Sequence, residues 1–183
     1  MPERKAPLYR QVLGVQFDRL PGKIQSLHDV TAPVTVSGLC QIRRGAHPLA
    51  RLFGCLMGLP SAGSDVPVTV TFQPSRGGET WQRHFGGVGL RSHQSAARRP
   101  GHLIERIGPM NFLLEPRARP EGLDLVLCRV WILGLPVPRR LWPLVEANER
   151  VREGLFAFDV AIRLPLAGLL IHYQGWLRES KTS

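Results

Sequence analysis

The chain has 183 residues, 43% of them hydrophobic and 21% charged, with a formal net charge of +10. Such a composition excludes wholesale disorder, and the length suits a single domain over residues 1–183 with a core from about 8 to 177. No stretch reaches the roughly 18 apolar residues of a membrane-spanning helix. The basic start from Met1 to Lys5 leads into Tyr9, Arg10 and Gln11 rather than an apolar run, so no secretory signal is expected.

Residues 7–28 carry helical spacing: Leu8, Val12 and Leu13 share one face, Phe17 and Leu20 extend it, and Pro21 opens a second turn toward Ile24 and Leu27. From Val34 to Arg44 the period changes to two, with Val34, Val36, Cys40 and Ile42 on one side, as in a half-buried strand. Residues 48–58 are predicted to form a short apolar helix, and Pro60 to Asp65 a polar linker.

A long β region starts at Val66. Val66, Val68, Val70 and Phe72 alternate with polar residues, and a Gly-containing turn leads to Trp81, Arg83 and Phe85 on one face. Gly86-Gly87 turns toward Leu90, and a basic loop ends in Pro100-Gly101. Leu103, Glu105 and Ile107 follow, then Gly108-Pro109 and Met110, Phe112 and Leu114. Pro116 to Gly122 is predicted to be a connection before a strand over 123–132. Gly134 to Pro143 contains three prolines and is predicted to be irregular. Residues 156–164 and 169–177 alternate again. About eight strands with short turns predict an α+β, mostly β protein: a strongly curved antiparallel sheet or open β-barrel, with the N-terminal helical segments packed on it.

The charge excess lies in residues 1–120, with 16 Lys and Arg against 7 acids, whereas residues 121–183 carry 8 against 7. Within it, Arg98-Arg99 makes an exposed basic loop suited to phosphate or another anionic surface. Sequence-specific reading of nucleic acid is not expected, because neither a recognition helix nor a zinc module is present. Leu135, Arg139, Arg140 and Trp142 form a second partner-binding candidate, since apolar side chains beside arginine suit a bilayer surface or a partner protein.

Three charged residues sit on apolar strand faces: Arg83 between Trp81 and Phe85, Glu105 between Leu103 and Ile107, and Arg129 on the face of Leu125, Leu127 and Trp131. If those faces are concave, the charges line a pocket, joined by His172 and Trp176 from the last strand. Buried charges must be paired or ligand-bound. The expectation is a non-catalytic site for an amphipathic or lipid-like small molecule. The bland alternative is ion pairing across the sheet with no ligand.

Other chemistry finds less support. Gly86-Gly87-Val88-Gly89 fails the dinucleotide pattern, and no phosphate-binding loop, hydrolase elbow or HExxH occurs. No cofactor is expected. Cys40, Cys55 and Cys128 are too far apart for a disulfide framework or a close-spaced metal motif, and they suit a reducing cytoplasm, peripheral to a membrane at most. His28-Asp29 reads either as a tethered base with its orienter or as a helix end with Asp29 in a turn. An enzyme would need Glu105, Glu146 or Asp159 to converge with His28 or His172.

Leu8-Tyr9 to Leu13-Gly14, Leu27-His28-Asp29, Asp65-Val66-Pro67-Val68, Glu79-Thr80-Trp81 through Gly87, Glu105 to Pro109, Leu133 to Pro136, Phe158-Asp159-Val160 and Tyr173 to Leu177 together resemble the domain of unknown function 4166 family. The resemblance implies no reaction. It implies association with saccharopine-dehydrogenase-like, nicotinamide-binding proteins or with membrane proteins, and hence a rival role as an accessory docking domain.

Overall fold

A computed structural model describes residues 6–75 and 77–179. The N-terminal segment is helical, as its spacing predicts, but in three pieces: α1 (Leu8–Leu13), a 3-10 stretch (Gly14–Arg19) and α2 (Gly22–His28). Gly14, at φ +54°, ends α1 in the left-handed region, where only glycine sits without strain. Pro21 precedes α2 with its ring pre-set for the first turn.

The strands are β1 (Val34–Arg44), β2 (Gly63–Ser75), β3 (Gly78–Phe85), β4 (Val88–Ala96), β5 (Leu103–Ile107), β6 (Met110–Arg119), β7 (Gly122–Ile132), β8 (Leu135–Pro136), β9 (Leu144–Arg152), β10 (Leu155–Leu164) and β11 (Gly168–Glu179). A third helix, α3 (Pro48–Leu56), joins β1 to β2. The pairing order is β6-β5-β4-β3-β2-β1-β11-β10-β9-β7, all antiparallel, and β6 also pairs with β7. That last pairing closes the sheet into a ten-stranded barrel without free edges, the two-residue β8 being an appendage on β7. The curved sheet expected from sequence is therefore a closed barrel, not an open one.

Sequence patterning undercounts the strands for identifiable reasons. β9 reads Leu-Val-Glu-Ala-Asn-Glu-Arg-Val-Arg, and its inward positions Val145, Ala147 and Glu149 are too small or polar to announce a buried face. β4 is also polar, with Ser92 and Gln94 buried inside. β2 begins at Gly63, taking in half of the expected linker, and β6 runs through Pro116 to Arg119, where a connection was expected.

The helices close one end of the barrel. Tyr9, Phe17, Leu20, Ile24 and Leu27 are buried there against Phe72, Trp81 and Leu123 at the ends of β2, β3 and β7. Even ~2 kcal/mol for each of these large apolar side chains makes the plug part of the core. The other end carries α3, the β7–β9 excursion and three short turns. Residues 133–143 contain β8 and a short 3-10 turn (Arg139–Leu141), held by the Trp142 indole donating to the Val137 carbonyl at 2.7 Å.

Three register shifts, one of them between Cys40 and Ile42 opposite β2, interrupt the strand pairing and set which side chains face inward. Between β6 and β7 the register moves from Leu113–Arg129 to Leu114–Leu127, leaving Cys128 as an extra residue. A bulge reverses the facing of everything beyond it. Leu123, Leu125 and Leu127 point inward before Cys128; Val130 and Ile132 do so after it. The remaining shift lies between Ile162 and Arg163, opposite β11.

Candidate functional site

The barrel encloses a cavity of about 260 Å³. Its walls come from alternate residues of the strands, as period two requires: Val68 and Val70 on β2, Phe112 and Leu114 on β6, Phe156 and Phe158 on β10, Tyr173 and Leu177 on β11. Phe53, Met57 and Leu59 from the α3 region, and Val137, Leu141 and Pro143 from the β7–β9 excursion, surround the mouth.

One wall carries charge. Arg83 and Glu105 both line the cavity, with Arg83 Nη2 3.3 Å from Glu105 Oε1 and each side chain 12% exposed. Arg83 Nη1 donates to Ser92 Oγ at 2.9 Å, and the guanidinium lies 4.7 Å from the centre of the Trp81 ring. β3, β4 and β5 are adjacent strands, so Arg83, Ser92 and Glu105 are lateral neighbours on the inner face. Among the described residues, two of the five guanidinium N–H groups are used, and Glu105 Oε2 meets no donor. Tyr173 shares this interior, its ring 5.4 Å from Phe85 and 6.1 Å from Phe158. Burial, more than the nearby Glu105, pushes its phenol above the usual range, opposed by Arg83.

A second polar group lies at the plugged end. His28 Nε2 is 2.6 Å from Glu149 Oε2, both residues buried, and Glu149 also borders the cavity. The Tyr9 ring lies 4.0 Å from His28, and its hydroxyl donates to Gln94 Oε1 at 3.0 Å. The Trp81 indole donates to Glu79 Oε2 at 3.1 Å. Burial depresses the His28 pKa, but the charge and hydrogen bond of Glu149, helped by Glu79, outweigh it and hold the ring above its usual value. Glu79 is raised by burial, against the Trp81 hydrogen bond, His28 and the Leu8 amide. His28 Nδ1 and Gln94 Nε2 are buried without a hydrogen-bond partner among the described residues.

The remaining sequence candidates lie elsewhere. Arg129 is exposed on the outer face, because the Cys128 bulge reverses β7 after Leu127. Trp176 and His172 also face outward, since Tyr173 and Leu177 occupy the inward positions of β11. His172 Nε2 is 2.8 Å from Asp159 and its Nδ1 2.8 Å from Arg43, in a ladder across the outer surface. Of the three acids expected to meet a histidine, Asp159 does so, but on the outer face, whereas Glu146 pairs with Arg163 at 2.9 Å outside and Glu105 with Arg83 inside. Asp29 turns away from His28 to Arg10, at 2.9 Å, and the adjacent pair forms no dyad. Leu135, Arg139, Arg140 and Trp142 gather beside the cavity mouth, whereas Arg98 and Arg99, between β4 and β5, are at the opposite end.

Sequence reading gave Glu79 no inward role and could not place Glu149, an acid it noted beside Glu146, on the inner face. It also missed a group on the outer wall, where His102, Glu115 and Cys128 bring ligand-type atoms within 4.8 Å of one another. No spacing motif could announce donors from β6, β7 and the turn before β5. Glu115 is already bound to Arg117 at 2.8 Å and stands near Arg99, so positive charge occupies the place a cation would take.

The architecture defines a class: a closed antiparallel β-barrel, plugged at one end by helices, with a mainly apolar interior and the Arg83–Glu105 ion pair in its wall. The chain belongs to the domain of unknown function (DUF4166) family, whose model matches residues 20–177. Among solved structures it is similar to the crystal structure of Rv2717c from M. tuberculosis, at 12% identity and a TM-score of 0.50, over 88% of this chain and 99% of that one. At that identity the likeness concerns the fold alone. No curated protein matches the sequence.

Proposed function

We propose that the barrel is a non-catalytic binding module for a small amphipathic molecule, held in the cavity with its polar head on Arg83 and Glu105. The observation that carries this reading is the pairing of one partly satisfied ion pair with otherwise apolar walls. Ligand sites commonly combine greasy walls with a few placed polar groups, in roughly 300–1,000 Å³. About 260 Å³ stands just below that range, which favours a short-chain or single-ring compound over a full-length lipid. A carboxylate or hydroxyl head can take the unused Arg83 donors, and a ligand hydroxyl or amine can donate to Glu105 Oε2. Asp159 meets His172 only on the outer wall, and His28, paired with Glu149, does not itself line the cavity, which supports binding rather than acid–base catalysis.

Native mass spectrometry of the purified protein, followed by denaturing extraction, tests this directly. The expected result is a co-purifying small molecule present in wild type and lost from Arg83→Ala and Glu105→Ala, with circular dichroism confirming that the variants fold. Bare protein from several expression hosts, or a ligand retained by both variants, overturns the reading.

A further inference from the structure

Solvent-facing leucines are collected at one end of the barrel. On α3, Leu49, Leu52 and Leu56 are 54%, 58% and 77% exposed, and their i, i+3, i+7 spacing puts them on one face turned away from the core. Leu133 and Leu135 project from the β7–β8 turn, and Leu166 from the β10–β11 turn. Leu141 is 48% exposed yet also lines the cavity, so the patch is continuous with the mouth. Among the described residues, only Val15 and Leu39 are large exposed apolar side chains away from this end.

The same end is free of negative charge in its loops. Residues 45–62, 86–87, 108–109, 133–143 and 165–167 contain no Asp or Glu, but hold Arg51, Arg139 and Arg140. All three arginines are exposed and form no ion pair among the described residues. The plugged end differs, since Asp18, Asp29, Glu121 and Glu153 lie in its loops and helices. An apolar surface with unpaired cations and acid-free loops, the nearest exposed acids Asp65 and Glu146 lying within β2 and β9, is complementary to an anionic bilayer: leucines enter the acyl boundary while arginines meet phosphate. An acidic protein face matches the charge alone, and the vesicle test separates it from a lipid surface.

We propose that the α3 and β7–β9 end docks the barrel on an anionic lipid surface, with the cavity mouth facing the membrane. The proposal does not depend on what the cavity holds. Flotation of the full chain with vesicles tests it. At low salt the protein floats with vesicles of phosphatidylcholine and phosphatidylserine in equal parts, stays behind with phosphatidylcholine alone, and is released as salt rises. Arg139→Ala/Arg140→Ala weakens binding about twenty-five-fold, from about five-fold for each basic side chain at an anionic surface. Leu52→Ser/Leu56→Ser weakens it as well, while Arg98→Ala/Arg99→Ala at the plugged end leaves it unchanged. Arg83→Ala, which empties the cavity on the reading above, floats like wild type, so the two proposals fail separately. Absence from both vesicle types, as expected of a surface made for a protein partner, overturns the proposal. So does an equal loss in the Arg98/Arg99 variant.

Discussion

Arg83 and His28 both keep their charge in the barrel interior, by different partners. Arg83 meets its carboxylate and a hydroxyl, and stacks on Trp81, so its charge is compensated where it sits. His28 is enclosed by Tyr9, Glu149, Glu79 and Trp81, and its proton is held by carboxylates against the cost of burial. A histidine whose folded pKa is raised binds more protons folded than unfolded, so its contribution is complete below the unfolded value and is lost as pH rises through the folded one. Glu79, also raised, acts with the same sign from a lower pH: above its ordinary 4.5 the unfolded chain gives up the proton first. The urea midpoint should therefore fall as pH climbs from about 6.5 through the His28 transition. In His28→Asn the fall over that window should disappear. A midpoint that rises across the window in wild type would contradict the His28–Glu149 assignment.

Among the elements, the seam between β1 and β11 is one of the tight places in the wall. Gly38 faces Leu177 across it, and Gly175 faces Cys40. A Cβ built on Gly38 would lie 1.8 Å from the Trp176 carbonyl oxygen, and one on Gly175 2.3 Å from that of Leu39. Backbone, not a movable side chain, blocks both positions, so the strands must separate to admit a methyl group. Gly38→Ala should cost about 1–3 kcal/mol, the usual penalty of overpacking, measured by urea unfolding. Gly58→Ala is a useful contrast: it meets no atom within 4 Å, and its cost is confined to a φ of +59°. Period-two patterning made most of these strands legible, Val66 to Phe72 and Phe156 to Leu164 above all. It failed where inward side chains are polar, as at Ser92, Gln94 and Glu149, because the pattern depends on contrast between faces. It also failed beyond Cys128, since a single unpaired residue exchanges the faces and leaves no mark on the local sequence.

At the scale of the molecule, the barrel has one closed and one open end, with buried polar groups beneath the plug and exposed leucines around the mouth. Removing residues 1–30 should uncover Phe72, Trp81 and Leu123 and strand Gln94 and Glu149 without Tyr9 and His28. The shortened protein should bind a hydrophobic dye strongly and lose its cooperative unfolding transition, as expected when specific packing is lost. A truncated chain that unfolds like the full one would show that the helices are only a cover. No helix of the described residues is long and apolar enough to cross a membrane.

The residues alone determined that this chain is mostly β, that helices precede the strands, that Arg83 and Glu105 share the apolar side of their strands, and that the assembly belongs to a recognisable family. Those are local facts, written in spacing of two or 3.6 residues and in runs of particular letters. Closure through β6 and β7, the outward turn of Arg129, His172 and Trp176, the His28–Glu149 contact across 121 positions, and the gathering of acid-free loops at one end were decided by tertiary structure. Strand pairing and bulges set those relations, and they join segments whose separation along the chain carries no record of their meeting.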